Sequence, residues 1–539
     1  MTYKGYIVFG RSCDKSNTWP NHFLKGTYQT MPTTPYTKIM ATDSVIQIPS
    51  FQQGFNRRWF AGQLEAVYLC HTGEGVALAL EDAISHYGDK IKVKGGGHCY
   101  EDFVYNEATL AIIDVGPLNE VGHDPEKGYY LGSGGTNWSA FKALFRDFGK
   151  VLPAGSCYSV GLGGHICGGG YGLLSRLNGL TVDWLTGVDI AVKPSAGAPA
   201  RLHYVSKDSL GAEADLYWAQ LGGGGGNFGV IARYYFKELP DAPQRALITT
   251  ISWDWSQVTV DMLGGLLDWY AAFASREDNW SQFGLLKLNH KAAGEIQMIV
   301  QTAYSNDLAH FDRHEALLNE LRAFGEHGIP QKPILGYGGI HVHPASDPTV
   351  DYTFYEAVQI LNGSGANQRG KYKSAYMRKP FPPEQVQAIY EHLQVVPAGL
   401  TEDDMKQSLL QVDTYGGIIN TVPSEATAIA QRSSIMKLQY QTYWTFEQND
   451  QAHLDWIRGF YQAMYQDYGG TPNPASDPSN NVDGCYFNYC DADLNDLVGR
   501  DGALRLYFLE NLERLVATKS TWDPNNYFNS KQSIPVSLG

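Results

Sequence analysis

The sequence predicts an α+β protein of two domains with a short N-terminal arm. Three observations predict it. A strand–helix–strand pattern over residues 64–95 runs directly into Lys94-Gly95-Gly96-Gly97-His98, so a β-α-β unit ends in a glycine loop. Beyond Pro240 the pattern changes to long alternating segments, such as Phe283–Leu288, Gln297–Thr302 and Lys437–Trp444. These read as a large antiparallel sheet with helices backing it. At 539 residues the chain is long enough for two sizeable cores. The expected division is 1–60 as an arm, 61–240 as a first domain, 241–484 as a second, and 485–539 as a return to the first.

Composition narrows the partners. Hydrophobic residues make up 43% and charged residues 18%, the balance of a soluble globular protein. A formal charge of −15, with no long basic run, argues against nucleic acid and anionic membranes. The 34 tyrosines and 12 tryptophans suit aromatic-lined pockets or carbohydrate platforms. Cys13, Cys70, Cys99, Cys157, Cys167, Cys485 and Cys490 are odd in number and scattered, which is no disulfide framework. Met1–Gly10 lacks a sustained apolar run, and no later run reaches transmembrane length. The expectation is a soluble, cytoplasmic protein.

The elements follow in order. Residues 1–60 are polar and proline-dotted, with loops at Asn17–Pro20 and Met31–Pro35. Leu64–Cys70 is a short apolar strand, Thr72 caps a helix near Gly75–Tyr87, and Ile91–Lys94 is the next strand. Strands at Leu110–Val115 and Tyr129–Gly132 precede a helix over Asn137–Phe148. Asp183–Lys193 and Val230–Phe236 are strands, with a short helix at Asp215–Leu221 between them. In the second domain Leu308–Phe324 and Glu384–Leu393 read as helices. Residues 471–484 read as a linker, and Leu504–Val516 as a helix of the tail.

Two glycine-rich loops carry the chemistry. Glycine lets backbone N–H groups approach an anion closely, so the first loop suits a dinucleotide pyrophosphate. His98 lies in this loop, and Cys157 in the second, Pro153-Ala154-Gly155-Ser156-Cys157. Each alone would be an ordinary structural residue. Set among glycines, an imidazole and a thiolate become nucleophiles for an electron-poor ring. Cys99 and Cys167 read as packing residues beside these loops. Three near-matches are set aside. Gly224–Gly229 fits G-x-G-x-x-G but has a helix before it and a strand after it. Gly365–Lys371 lacks the Ser or Thr of a P-loop. His341-Val342-His343 has no third ligand nearby, so no metal site is expected. Lys437 and Gln439 share one strand face. A lysine beside a tyrosine, such as one in Tyr486-Phe487-Asn488-Tyr489, stabilises phenolate and makes it a usable base.

Gly95–His98, with Pro153–Cys157 and Gly161-x-x-Gly164-His165, resembles the flavin oxidases of the berberine-bridge-enzyme type. Gly226-Asn227-Phe228-Gly229-Val230, Tyr486-x-Asn488-Tyr489-x-Asp491 and Lys519…Ile534-Pro535 are similar to the same family in the same order, over residues 62–539. The resemblance implies the vanillyl-alcohol-oxidase (PCMH-type) fold. It also implies FAD attached covalently, through His98 to the 8α-methyl and through Cys157 to C6. Lys94, Gly95, Gly96, Gly97, Cys99 and Tyr100 would cradle the pyrophosphate. Pro153, Gly155, Ser156, Val160, Gly161, Gly164, His165, Gly169, Gly170, Gly229, Val230, Tyr486 and Asn488 are the further cofactor contacts implied. Tyr489 matches the family's base, and Lys437 and Gln439 its neighbours. Within the family the chain is most similar to hexose oxidases of glycopeptide-antibiotic biosynthesis, which implies Tyr171 and Tyr376 at the active site. The implied reaction oxidises an alcohol on a sugar or glycosylated natural product. Hydride passes to flavin N5, and molecular oxygen becomes hydrogen peroxide. The alternative on the same fold is oxidative cyclisation or dehydrogenation of a secondary metabolite.

Overall fold

Three sheets organise the protein, and a computed structural model describes residues 34–42, 48–305, 309–325, 349–361 and 365–539 of it. The first sheet holds β1 (Tyr36–Met40), β2 (Ala66–Cys70), β3 (Ile91–Lys94) and β4 (Ala111–Asp114), in the order β1-β2-β4-β3. β2, β4 and β3 are parallel. Their crossover is α1 (Gly73–Tyr87), whose N-terminus is closed by the Gly75 N–H donating to Thr72 Oγ1 at 3.0 Å. Val76, Leu80 and Ile84 form its buried face. β1 pairs antiparallel with β2, although this stretch shows no strand periodicity in the sequence. Its side chains are only partly buried, so this edge strand is ordered by its neighbour's backbone rather than by an apolar face of its own.

The second sheet is antiparallel. It runs β5-β6-β9-β7-β8 through β5 (Val121–Asp124), β6 (Gly128–Gly132), β7 (Gly187–Val192), β8 (Arg201–Ser206) and β9 (Val230–Phe236). Between β6 and β7 lie α2 (Asn137–Phe148) and the short α3 (Leu162–Cys167). α2 covers its predicted range because both ends are capped: Thr136 and Ser139 form a capping box, and Gly149 closes the C-terminus at φ 65°.

The third sheet has seven antiparallel strands. They are β10 (Arg245–Asp254), β11 (Gln282–Asn289), β12 (Glu295–Tyr304), β13 (Thr349–Thr353), β14 (Arg369–Met377), β15 (Leu409–Thr414) and β16 (Met436–Trp444), in the order β13-β10-β12-β11-β15-β16-β14. Helix Asp450–Met464 packs on β14 and β16, with Pro383–His392 and Val260–Ser275 beside it. Every residue of β16 is buried: helix Asp450–Met464 covers one face, and on the other Lys437 meets Tyr171 and Tyr489 while Gln439 meets Tyr100. Among the described residues no helix is long and apolar enough to cross a membrane.

The tail departs from its predicted single helix. It forms Asp493–Phe508, itself broken where Gly499 adopts φ 74°, and Leu512–Trp522, set off where Leu509 adopts φ 46°. Lys519 then anchors it: the buried ammonium donates to Asn227 O at 2.7 Å, Asp523 Oδ2 at 2.7 Å and Phe528 O at 2.6 Å.

His453 carries a consequence for stability. Its ring stacks on Trp444 with centroids 4.6 Å apart, and Nδ1 lies 2.7 Å from Thr442 Oγ1. Burial lowers its pKa from 6.5 to about 4. Between those values the unfolded chain holds the extra proton and the folded chain does not, so stability is lost as pH falls through that window. Denaturant titrations from pH 7 to 4 should show this loss. His453→Gln should flatten the slope by about one proton.

Candidate active site

Two glycine loops meet backbone to backbone. A Cβ on Gly96 would lie 2.4 Å from Gly161 N, and one on Gly161 would lie 2.3 Å from Gly96 N. No side chain fits at either position, so the contact fixes the second loop against the first. Gly97 turns the chain at φ 71° and delivers His98. The His98 ring stacks on Phe55 at 4.7 Å, and Nε2 lies 3.0 Å from Ser159 Oγ. Burial lowers the His98 pKa to about 4, which keeps the imidazole neutral and nucleophilic at neutral pH. On the other loop the Asn137 amide donates to Cys157 O at 3.2 Å. The Gly155 N–H donates to His165 Nε2 at 2.8 Å, and burial likewise lowers His165 to about 4.

These loops border a cavity of about 350 Å³. Lys92, Lys94, Asn529 and Ser530 line it, and so do Phe283, Gln411, Asp413 and Gln439 of the seven-stranded sheet. Tyr489 is delivered by the segment Tyr486–Cys490. Lys437 Nζ donates to Tyr489 Oη at 2.9 Å and pairs with Asp413 Oδ2 at 2.9 Å. The same ammonium sits 4.3 Å above the Tyr171 ring and 4.2 Å from the Tyr489 ring centroid. Burial first, and the Asp413 carboxylate second, hold the Tyr489 phenol well above its usual pKa. The Gln439 amide donates to Tyr100 Oη at 3.1 Å, and Tyr100 stacks on Tyr372 at 3.6 Å.

The structure brings together most of the residues singled out in the sequence. Lys94, Gly95, Gly96, Gly97, His98, Cys99, Tyr100, Gly155, Ser156, Cys157, Val160, Gly161, Gly164, His165, Tyr171, Gly229, Gln439, Tyr486, Asn488 and Tyr489 all line the cavity. Lys437 lies behind its wall, fully buried against Tyr171 and Tyr489.

Tyr376 is not brought to the cavity. It points into the core between Tyr415 at 5.0 Å and Tyr486 at 6.1 Å, so it supports the wall from behind. Gly169 and Gly170 also stand back. A Cβ on Gly170 would meet Thr181 Cβ at 2.4 Å, so these glycines serve close packing. Pro153 offers its carbonyl to Ser175 Oγ at 3.0 Å, and Val230 is fully buried in the core of the first sheet. His341 and His343 lie outside the described residues. Among those described, no group of three or more His, Cys, Asp or Glu side chains is placed to hold a metal.

Several lining residues carried no sequence signal. Asn137, Gln411 and Asp413 look like ordinary helix or strand residues until the fold aims them inward. Gly225 belonged only to the motif set aside as a Rossmann near-match, whereas Gly226 also opens the stretch Gly226–Val230 that resembles the family. Their position between a helix and β9 confirms that the near-match is no such site, yet both line the cavity.

The cavity fits FAD. Cβ atoms added to Gly164 or Gly226 would meet nothing within 4 Å, and one on Gly95 would meet only Ser133 O at 3.7 Å. The backbone there is bare toward the cavity, as a pyrophosphate requires. The Asn137 side chain lines the same space, and its buried Oδ1 has no donor in the protein.

Comparison with known proteins agrees. Residues 64–195 match an FAD-binding domain, and residues 485–535 match the berberine and berberine-like family. Hexose oxidase of Chondrus crispus is 48% identical over 91% of this chain and 93% of its own length. Aclacinomycin-N/aclacinomycin-A oxidase of Streptomyces galilaeus is 34% identical over 89% of this chain and 87% of its own. A solved glycopeptide hexose oxidase, complexed with teicoplanin, superposes with a TM-score of 0.81 at 29% identity, covering 94% of this chain and all of that one. On its own glycine loops, its cavity and these relatives, the chain belongs to the berberine-bridge-enzyme-like family of FAD-linked oxidoreductases.

Proposed function

We propose that the chain is an FAD-dependent oxidase of an alcohol on a sugar or glycoside. The observation that carries this reading is the Asp413–Lys437–Tyr489 chain, which borders the same cavity as His98 and Cys157. Residues 61–240 and 485–539 would hold the cofactor, with covalent attachment at His98 and Cys157, and residues 241–484 would hold the substrate. When bound, FAD supplies the two-electron acceptor, which dioxygen reoxidises to give hydrogen peroxide. Tyr489 takes the hydroxyl proton as the carbinol carbon is oxidised. Burial opposes a phenolate at this position, and the Lys437 ammonium stabilises it. Asp413 pairs with that ammonium and orients it. Gln411 and Gln439 present amides, and Tyr171 and Phe283 present rings, a lining suited to the hydroxyls and C–H faces of a neutral sugar. Relatives named for hexoses and for glycosylated natural products support both substrate types.

Four outcomes are expected. Peroxide release with a panel of free hexoses and glycosides should identify substrates, and no release with any would overturn the reading. Tyr489→Phe should keep its flavin and lose about 100- to 10,000-fold in kcat. With Lys437→Met the rising limb of the pH–rate profile should move to higher pH, because the phenolate loses its cation. Acid precipitation should leave flavin attached in His98→Ala and in Cys157→Ala, and release it only from the double variant.

A further inference from the structure

Two thiols flank the reacting groups. Cys99 follows His98, Cys490 follows Tyr489, and both line the cavity. Cys490 belongs to a buried cluster with Phe55, Tyr100, Tyr372 and Tyr443, and Cys99 and Tyr489 pack against that cluster. Cys99 thus lies against Cys490, close enough for their side chains to interact. The segments stay together beyond the sulfurs. Lys371 bridges Glu101 and Asp491, and the Ala492 N–H donates to Glu101 Oε1 at 3.3 Å. Both cysteines are free thiols in this structure.

We propose that Cys99 and Cys490 form a reversible disulfide under hydrogen peroxide and that this bond switches the site off. The proposal takes its oxidant from the oxidase reading above, which generates peroxide in the same cavity. The half-buried Cys99 meets peroxide first. Its sulfur takes one peroxide oxygen as a sulfenic acid, the O–O bond breaks, and one water leaves. The Cys490 sulfur then displaces that hydroxyl, the S–S bond forms, and a second water leaves. Two thiols give up two electrons and two protons, and one peroxide becomes two waters. The Cys99 side chain, with burial, holds the Cys490 thiol well above its usual range, so only the small thiolate fraction carries the second step, which quickens as pH rises.

Closure acts on both sides of the cavity. It draws the residue after His98 toward the residue after Tyr489, and a shift of about 1 Å between reacting groups costs on the order of 100-fold in rate. The closed form should also hold its two segments together against unfolding, since they lie far apart along the chain.

The test uses reduced holoenzyme, added hydrogen peroxide and D-glucose as the assay sugar. Peptide mapping without reductant should find a Cys99–Cys490 cross-link that grows with peroxide and disappears with dithiothreitol. Turnover should fall about tenfold or more with the cross-link and return with its reduction. Cys490→Ser, referred to its own untreated rate, should show no loss that dithiothreitol restores. The proposal is overturned if neither cysteine cross-links, if the cross-linked enzyme turns over at the untreated rate, or if Cys490→Ser loses and regains activity as the wild type does. Should no hexose or glycoside yield peroxide with the wild type, the oxidase reading fails, and the peptide map with added peroxide still decides the disulfide.

Discussion

The site depends on one buried ion cluster. Lys371 and Lys373 project from edge strand β14 onto Asp491 and Asp493, and Lys371 also holds Glu101. Arg458 completes the balance by pairing with Asp493 at 2.8 Å. Three cations thus face three carboxylates, and Lys371, Lys373, Glu101 and Asp491 are all nearly inaccessible to water. Burial alone would lower the Lys371 ammonium, but Asp491 and Glu101 hold it above its usual pKa. Glu101 sits three residues after His98, and Asp491 two residues after Tyr489. The cluster therefore ties the first glycine loop to the base segment across nearly the whole chain. Such a cluster contributes little net stability compared with apolar packing. Removing one member leaves a buried charge unpaired, at a cost of about 3–5 kcal/mol. Its value here is positional: the loop and the base cannot separate without exposing or stranding a charge.

The glycine loops show which part of the site is legible in a sequence. A position that tolerates no Cβ leaves an unambiguous trace, and Gly96, Gly161 and Gly97 are of that kind. His98 and Cys157 stand out because glycines surround them. Most strands and helices are equally legible where alternation or caps mark them, as with β3, β9 and α2. The ion cluster leaves no such trace. Lys371 lies in a stretch that resembles a failed P-loop, and its partners lie far away in sequence, so only the β14–β16 register and the path of the tail reveal it. Asp413 is hidden in the same way. It becomes the partner of Lys437 because β15 pairs with β16 in the register that sets those two residues opposite.

Tyr376 illustrates the converse error. Strand register places it opposite Lys437, so its sequence position is as suggestive as that of Tyr489. The aromatic cluster of Tyr415, Tyr486 and Tyr376 fills the space behind the cavity, and its ring is consumed there. With 34 tyrosines in the chain, a tyrosine near the site is weak evidence of chemistry, and only the hydrogen-bonding partner separates one from another. Tyr489 has the lysine ammonium; Tyr171 donates to Thr414 O at 2.6 Å and meets that ammonium only with its ring face.

Burial then acts in opposite senses on the two halves of the cavity. Removing water disfavours the charged form of every group. For His98 this is an advantage, since a neutral imidazole keeps the lone pair that a nucleophile needs. For Tyr489 it is an obstacle, since the useful form is the anion. Burial therefore needs no helper on the His98 side and needs a cation on the Tyr489 side. Lys437 is that cation, fully buried beside the phenol and donating to it at 2.9 Å. Asp413 pairs with the same ammonium at 2.9 Å, so the buried charge has a counter-charge and a fixed position. The triad is the arrangement that lets a single buried site keep one group neutral and favour the anion of another.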